Sequence, residues 1–115
     1  MKKTFCFDID NTICKTNKAN YSESKPNLKV IKLINELYDN GHTIKIFTAR
    51  YMGRNNDNIR LANKQGYKKT LNQLKKWNLK FHKLFITKPH FDVFVDDKSF
   101  NFKKTWQSAF RKKYL

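Results

Sequence analysis

The first strand-like segment of the chain ends in two aspartates, Asp8 and Asp10, and no other feature constrains the fold as strongly. On an extended backbone, residues two positions apart point to the same side, so both carboxylates would converge where a buried strand passes into its loop. Two acids there repel each other and lose hydration, and they therefore require a cation or a cationic partner. The alternative is a strand followed by a turn, because Asp and Asn favour turns.

Strands and helices alternate along the sequence. Apolar segments rich in β-branched or aromatic residues predict strands over residues 3–9, 43–48, 84–86 and 91–95. Apolar residues at helical spacing predict helices over residues 26–40, 58–64, 70–77 and from 99 onward. Pro26 suits a first helical turn, Gly41 and Gly66 suit helix ends, and Thr70 suits a cap. The order predicts one α/β domain over residues 1–115, a sandwich with a mainly parallel sheet.

Polar residues that can carry chemistry fall at the predicted carboxyl ends of the strands. They are Asp8, Asp10, Thr48, Arg50, Asp96 and Asp97. In open parallel sheets, ligands bind at this edge. The sequence therefore predicts one site to which the two ends of the chain both contribute acids.

One connection resists this scheme. Only residues 87–90 separate the third predicted strand from the fourth. A return between parallel strands takes roughly a dozen or more residues. Either residues 84–86 are not a full parallel strand, or the chain crosses the sheet in an unusual way.

The chain is strongly basic, with 25 Lys and Arg against 9 Asp and Glu and a net charge of +16. Such an excess attracts polyanions, including nucleic acid, phosphorylated sugars and anionic membrane surfaces. The alternative is compositional, because a solvated lysine face needs no partner. Four of the nine acids lie in two short motifs, and this concentration favours a cation site.

Size and cysteine usage predict a small cytoplasmic protein. The chain has 115 residues, and no apolar run in it approaches the roughly 20 residues needed to cross a bilayer. No signal peptide is recognisable. Cys6 and Cys14 are too few for a disulfide scaffold and have no zinc-like spacing, so we expect reduced thiols.

Four short motifs, in order, resemble those of the haloacid dehalogenase-like phosphatase superfamily. They are Asp8-Ile9-Asp10-Asn11-Thr12, Ile46-Phe47-Thr48, Lys88, and Val95-Asp96-Asp97. Within that superfamily the chain looks like small phosphatases encoded among bacterial capsule and polysaccharide biosynthesis genes. Residues 48–54, 72–77 and 88–92 carry this closer likeness. The resemblance implies a three-layer Rossmann-like sandwich, and the short predicted loops leave no room for a cap domain.

The resemblance also implies a mechanism, that of a phosphomonoester hydrolase with an aspartyl-phosphate intermediate. Asp8 would be the nucleophile, and Asp10 would protonate the leaving oxygen and then deprotonate water. Mg²⁺ would be held by Asp8, the backbone carbonyl of Asp10, and either Asp96 or Asp97. The substrate would be a sugar phosphate or a related intermediate of surface polysaccharide synthesis.

The remaining site residues have weaker individual signals. The resemblance implies that Thr48 and Lys88 bind the phosphoryl oxygens. Taken alone, Thr48 is typical of a β-strand and Lys88 is typical of a solvated surface. Arg50 and Arg54 could grip an anionic part of the substrate, because Arg binds anions in bidentate geometry. The basic residues 103–104 and 111–113 fit a solvated helix face or an anionic contact.

Other functions remain open from the sequence. The net charge of +16 and an open site also suit a nucleotide or nucleic-acid 3′-end phosphatase. A module that binds nucleic acid without catalysis is a third interpretation, although four clustered aspartates do not serve that purpose. A phosphotransferase or mutase could use the same acids. We expect no membrane insertion, and a homo-oligomer could supply a lid for a capless site.

Overall fold

The structure is a computed structural model that describes residues 1–103 and 105–115. The strands are β1 (Thr4–Phe7), β2 (Cys14–Lys15), β3 (Lys25–Pro26), β4 (Thr43–Thr48) and β5 (Lys83–Ile86). The helices are α1 (Leu28–Asp39), α2 (Ile59–Lys76) and α3 (Trp106–Tyr114), with short 3₁₀ turns at Tyr21–Glu23 and Gly53–Asn55. No helix in the described ranges is long and apolar enough to cross a membrane.

The main sheet has three parallel strands in the order β1-β4-β5. Phe7 lies opposite Ile46 across the first pair, and Thr48 lies opposite Ile86 across the second. Helix α1 returns the chain from β1 to β4, and α2 returns it from β4 to β5. The predicted α/β class with a parallel sheet is confirmed, and the carboxyl ends of all three strands meet at one edge.

The described helices pack on one face of this sheet. Alternate strand residues point to that face, and Phe7, Ile46 and Leu84 join one buried core there. Leu33 of α1 and Phe110 of α3 belong to the same core. The opposite face carries exposed side chains at Thr4, Cys6, Lys45 and Lys83. The described residues therefore form two layers, and the predicted third layer is absent from them.

Helix α1 is bounded by local signals. The Asn27 side chain caps its first turn by accepting hydrogen bonds from the backbone N–H groups of Lys29 and Val30. Gly41 takes a φ of +91° just after the helix, and its N–H donates to the Tyr38 carbonyl as in a Schellman motif. The predicted end at Gly41 is confirmed. The predicted start was wrong, because Pro26 pairs in β3 and the helix begins two residues later.

Helix α2 is continuous where two helices were predicted. Gly66 lies in its middle and is buried, and Thr70 is an interior residue rather than a cap. A Cβ on Gly66 would overlap the ring of Tyr51 at Cε2. This glycine therefore permits a close approach of the tyrosine ring to the helix, and it does not end the helix.

The predicted fourth strand was wrong. Residues 87–105 contain no strand in the part of the chain described, and α3 begins at Trp106 rather than near residue 99. Because Lys83–Ile86 is a full parallel strand, the four residues 87–90 are too few for the chain to return and pair again. Phe91 and Phe94 instead stack on each other with ring centroids 5.1 Å apart.

Residues 14–26, which lie between the first predicted strand and the first predicted helix, form a hairpin. The short strands β2 and β3 pair in antiparallel register, and the Thr16 and Ser24 hydroxyls hydrogen-bond at 2.6 Å. The hairpin lies over the loop that follows β1. It therefore contributes residues to the site at the sheet edge.

Candidate active site

The loop after β1 holds both aspartates at the carboxyl edge of the sheet. Ile9 and Ile13 are fully buried and anchor the loop from within the core. The N–H groups of Thr12 and Ile13 both donate to the Ile9 carbonyl, and Asn11 adopts a left-handed φ of 62°. This tight turn fixes the backbone on either side of Asp10.

Asp10 is held by a buried arginine from the neighbouring strand end. Arg50 is only 2% exposed, and its Nε and Nη2 donate to Asp10 Oδ2 and Oδ1 at 3.0 and 2.9 Å. The Thr16 hydroxyl of the hairpin donates to the same Oδ1 at 2.6 Å. Oδ1 thus carries most of the contacts, and Oδ2 is the freer of the two oxygens.

The rest of the Arg50 guanidinium is also bound inside the protein. Its Nη1 donates to Gln73 Oε1 at 2.6 Å, and Gln73 in turn donates to the Tyr21 carbonyl at 2.8 Å. The guanidinium carbon lies 4.8 Å from the centre of the Tyr21 ring. Arg50 therefore joins the sheet, α2 and the hairpin, and this geometry favours positioning of Asp10 over the predicted contact with substrate.

Asp8 has looser contacts than Asp10. Its side chain is 34% exposed, and its Oδ1 lies 3.6 Å from the Lys88 ammonium. The Thr12 hydroxyl donates to its Oδ2 at 3.5 Å, a long bond. Burial raises the pKa of the Asp8 carboxyl, and the nearby Lys88 charge opposes that rise. Asp8 is therefore the more exposed and the more loosely held of the two carboxyl groups.

The Lys88 ammonium is surrounded by aromatic rings. It lies 5.7 Å from the ring centre of Phe47 and 5.2 Å from those of Phe91 and Phe94. Cation–π attraction of this kind holds an ammonium in place while leaving its protons free to donate. The segment predicted as a strand therefore supplies two rings that position Lys88 next to Asp8.

Thr48 ends β4 at the same edge and is 1% exposed. Its hydroxyl oxygen accepts a hydrogen bond from the backbone N–H of Arg50 at 3.2 Å. Its backbone carbonyl accepts one from the backbone N–H of Lys88 at 3.3 Å. The hydroxyl proton has no acceptor among those contacts. Thr48 thus ties the loops after β4 and β5 together.

Asp96 and Asp97 are exposed and do not follow a strand. The Asp96 carboxylate accepts a hydrogen bond from the Lys98 N–H at 2.8 Å. Among the described residues, no three His, Cys, Asp or Glu side chains are grouped so as to hold a metal ion. The predicted meeting of Asp8 with the distal acids is therefore not formed as a ligand cluster.

Asp96 nevertheless lies within electrostatic reach of β1. Burial raises the pKa of the Cys6 thiol, the Lys88 and Lys45 charges oppose this rise, and the Asp8 and Asp96 charges add to it.

Asp8 supplies a carboxylate and Asp10 supplies a backbone carbonyl at the edge of the sheet itself. These oxygen donors fit Mg²⁺, which proteins often bind through one or two carboxylates, with waters and substrate phosphate completing the shell.

Sequence reasoning missed the residues that fix Asp10 from outside the motifs. Thr16 and Ser24 are hairpin residues without a recognisable signal, and Gln73 lies within the segment 72–77 that carried part of the resemblance. The Ser24 hydroxyl hydrogen-bonds Thr16 and lies 3.5 Å from Arg50 Nη2. Only the fold brings Thr16 to the Asp10 carboxylate and brings Ser24 and Gln73 to the arginine that holds it.

One cleft borders the aspartate loop, and a second borders the loops that follow β4 and β5. One, of about 470 Å³, lies between the hairpin and α3 and is lined in part by Thr12, Lys15 and Trp106. The other, of about 380 Å³, is lined in part by Tyr21, Tyr51 and Arg54. Arg54, predicted as an anion binder, is exposed beside the two tyrosine rings rather than buried like Arg50.

Comparisons with known proteins support the fold and assign no activity. No family model matches the chain, and no curated protein matches it. A crystal structure of a structural-genomics target from Vibrio cholerae is similar, with a TM-score of 0.78 and 25% sequence identity. The likeness covers 98% of this chain and 99% of that one. The Vibrio cholerae protein carries no functional name, so the likeness concerns the fold.

Proposed function

We propose that the chain is a Mg²⁺-dependent phosphomonoester phosphatase with a haloacid dehalogenase-like fold, in which Asp8 is the nucleophile. The observation that carries the proposal is the pairing at the sheet edge. An accessible Asp8 carboxylate lies 3.6 Å from the Lys88 ammonium, and a second, firmly held carboxylate belongs to the same loop. A reactive carboxylate, an anion-binding ammonium and an adjacent acid–base group are the parts that this chemistry needs.

In the first step, an Asp8 oxygen attacks phosphorus and the bond to the leaving oxygen breaks. The product is an aspartyl-phosphate and an alcohol. Asp10 supplies the proton that the leaving oxygen takes up, and Oδ2 is suited to this because Arg50 Nε is its one partner, whereas Oδ1 is bound by both Thr16 and Arg50 Nη2.

In the second step, a water attacks the phosphorus of the aspartyl-phosphate, and the bond to Asp8 breaks. Asp10 accepts the proton of that water and so returns to its starting form. Phosphate leaves, and no oxidant or further reactant is needed. Arg50 keeps Asp10 in one rotamer through both steps and does not react.

Lys88 and the Thr48 hydroxyl bind phosphoryl oxygens in this proposal. Asp8, the Asp10 carbonyl and either Asp96 or Asp97 would hold the ion, which when bound would screen the repulsion between nucleophile and phosphate. The last ligand requires residues 96–97 to close towards β1.

The favoured substrate is a sugar phosphate or related intermediate of surface polysaccharide synthesis, handled in the cytoplasm. The absence of a separate cap domain among the described elements supports access of a large molecule to the edge. A homo-oligomer could supply a cover. A transfer of the phosphoryl group to another acceptor would use the same steps.

The test is release of phosphate from a panel of phosphorylated metabolites with Mg²⁺. Asp8→Asn should abolish release, and chelation of the metal should do so reversibly. Asp39→Asn is the matched control, because Asp39 is exposed at the far end of α1 and pairs with Lys80. Release that survives Asp8→Asn unchanged would rule out the assigned nucleophile.

A nucleotide or nucleic-acid 3′-end phosphatase is the second candidate, favoured by the net charge of +16. Its turnover on oligonucleotide 3′-phosphates should exceed that on sugar phosphates and should fall steeply with salt, because counterions are released on binding. Salt-sensitive nucleic-acid binding with no turnover of any ester would instead favour a binding module.

A further inference from the structure

The cleft beside Arg50 has a composition that the reaction itself does not require. It has a volume of about 380 Å³, and Tyr21, Tyr51, Arg54 and His90 contribute to its lining. The Tyr21 and Tyr51 rings lie 5.0 Å apart at a tilt. No carboxylate is among its lining residues, so the cleft combines apolar ring surface with positive charge.

The cleft is built on the loops that carry the proposed phosphate binders. Ala49, which follows Thr48, lines it, and so does His90, two residues after Lys88. Tyr21 also forms a common wall, because its ring contacts both Arg50 on the Asp10 side and Arg54 on the cleft side. The cleft therefore adjoins the loops that carry the proposed phosphate binders, next to the tyrosine ring that packs on Arg50.

Tyr51 is held there in an unfavourable conformation. Its φ is 67°, a left-handed value that bulky residues rarely adopt. Its ring occupies the space that a side chain at Gly66 would need, in the middle of a helix where glycine is disfavoured. Strain that is maintained by its surroundings is typical of functional sites.

Arg54 differs from Arg50 in having its charge available. It is exposed, its guanidinium carbon lies 4.8 Å from the Tyr51 ring centre, and it makes no ion pair with a described carboxylate. The nearby Asp57 carboxylate accepts the His90 N–H at 2.9 Å. Stacking on the rings leaves the edge of the guanidinium free to donate to an anion in bidentate geometry.

We propose that Tyr21, Tyr51 and Arg54 form a substrate subsite that binds a second anionic group, a carboxylate or phosphate, on the leaving-group side of the phosphoester. This inference rests on the proposed phosphatase function and deepens it. The subsite selects phosphorylated compounds that carry two anionic groups over those that carry one.

The experiment compares matched esters on the full chain. The carboxylate arm uses 3-phosphoglycerate against glycerol 3-phosphate, and the phosphate arm uses fructose 1,6-bisphosphate against fructose 6-phosphate. In the wild type, kcat/KM should favour the doubly anionic compound in at least one arm. Arg54→Gln should lower that preference about tenfold, the usual effect of one charge-assisted contact.

Two further variants keep the test decisive. Arg60→Gln removes the same charge from an exposed residue that lines neither cleft, and it should retain the preference. Arg54→Lys keeps the charge without the planar fork and should retain part of it. If Arg54→Gln does not fold by circular dichroism, an Arg54→Lys preference equal to that of the wild type overturns the subsite.

The outcomes separate the two proposals. Turnover without a preference, or with one that Arg54→Gln leaves intact, overturns the subsite and leaves the phosphatase standing. If no ester is turned over, the phosphatase proposal falls, and the same pairs are compared by calorimetric binding. Tighter binding of the doubly anionic compound that is lost in Arg54→Gln then supports the subsite, and equal binding overturns it.

Discussion

Asp8 and Asp10 lie two residues apart in one loop but have opposite surroundings. Asp10 is bound by a buried guanidinium and a hydroxyl at distances between 2.6 and 3.2 Å. Asp8 has one long hydrogen bond at 3.5 Å and an ion pair at 3.6 Å. A carboxylate that is firmly held keeps its geometry, whereas one with weak contacts can exchange them for a substrate or an ion. The difference separates a fixed carboxylate, Asp10, from a loosely held one, Asp8.

The largest expected effect is the loss of phosphate release when the Asp8 carboxylate is removed. Asp8→Asn should lower phosphate release about a thousandfold or more, because no other described carboxylate takes its place. The same change should leave the thermal midpoint near that of the wild type, since burial already disfavours the charged form of Asp8. Phosphate assays and thermal denaturation check both halves. A large drop in the midpoint would show that Asp8 is structural.

Removal of the arginine that holds Asp10 should lower the stability of the protein. Arg50→Met keeps much of the apolar stem but leaves Asp10 without its main partner, and we expect the free energy of unfolding to fall by about 3 kcal/mol. Urea denaturation measures this. Arg60→Met, at an exposed position, should stay within about 0.5 kcal/mol of the wild type. Lost turnover with unchanged stability would mean that Arg50 acts on the substrate instead.

A third variant tests the Lys88 ammonium, which lies next to Asp8. Lys88→Met should weaken inhibition by inorganic phosphate about tenfold, because one charged donor is lost from the anion site. Lys83→Met is the control, since Lys83 also lies near an aromatic ring but begins β5, at the end of the strand opposite to the site. Equal inhibition constants in the two variants would remove Lys88 from the phosphate site.

The smallest effect concerns the rings that hold Lys88. Phe94→Ala removes one of three aromatic contacts to the ammonium and should raise KM about threefold with little change in kcat, because a cation–π contact at a partly exposed site is weak. Val93→Ala changes an exposed neighbour that has no such contact. A kcat effect larger than the KM effect would contradict a purely positioning role.

The sequence predicted the elements whose signals are local. The β-branched run of β4 gave Thr43–Thr48 with its observed bounds, and Gly41 marked the end of α1. It also placed Asp8 and Asp10 at the edge where Arg50 and Lys88 arrive, because parallel neighbours end on the same side. These features depend on alternation, capping and strand direction, which short segments encode.

Other features had no local signal. Gly66 has the same composition cue whether it ends a helix or admits a ring, and only the position of Tyr51 distinguishes the two. The apolar residues 91–95 have strand propensity, but pairing also requires a connection long enough to reach the sheet. In the sequence, Arg50 and Arg54 are equally good candidates for binding an anion. In the folded chain, Arg50 is buried against Asp10 and Arg54 is exposed.

The sequence by itself determined that strands alternate with helices and that two acids follow the first strand. Periodicity and capping act over a few residues, so the amino-acid sequence contains them. Only the tertiary structure decided which acid is held and which is free, because that depends on hydrogen bonds between residues 40 positions apart, such as Arg50 and Asp10. Such contacts form when the hairpin, β4 and α2 pack together, and no short segment encodes them.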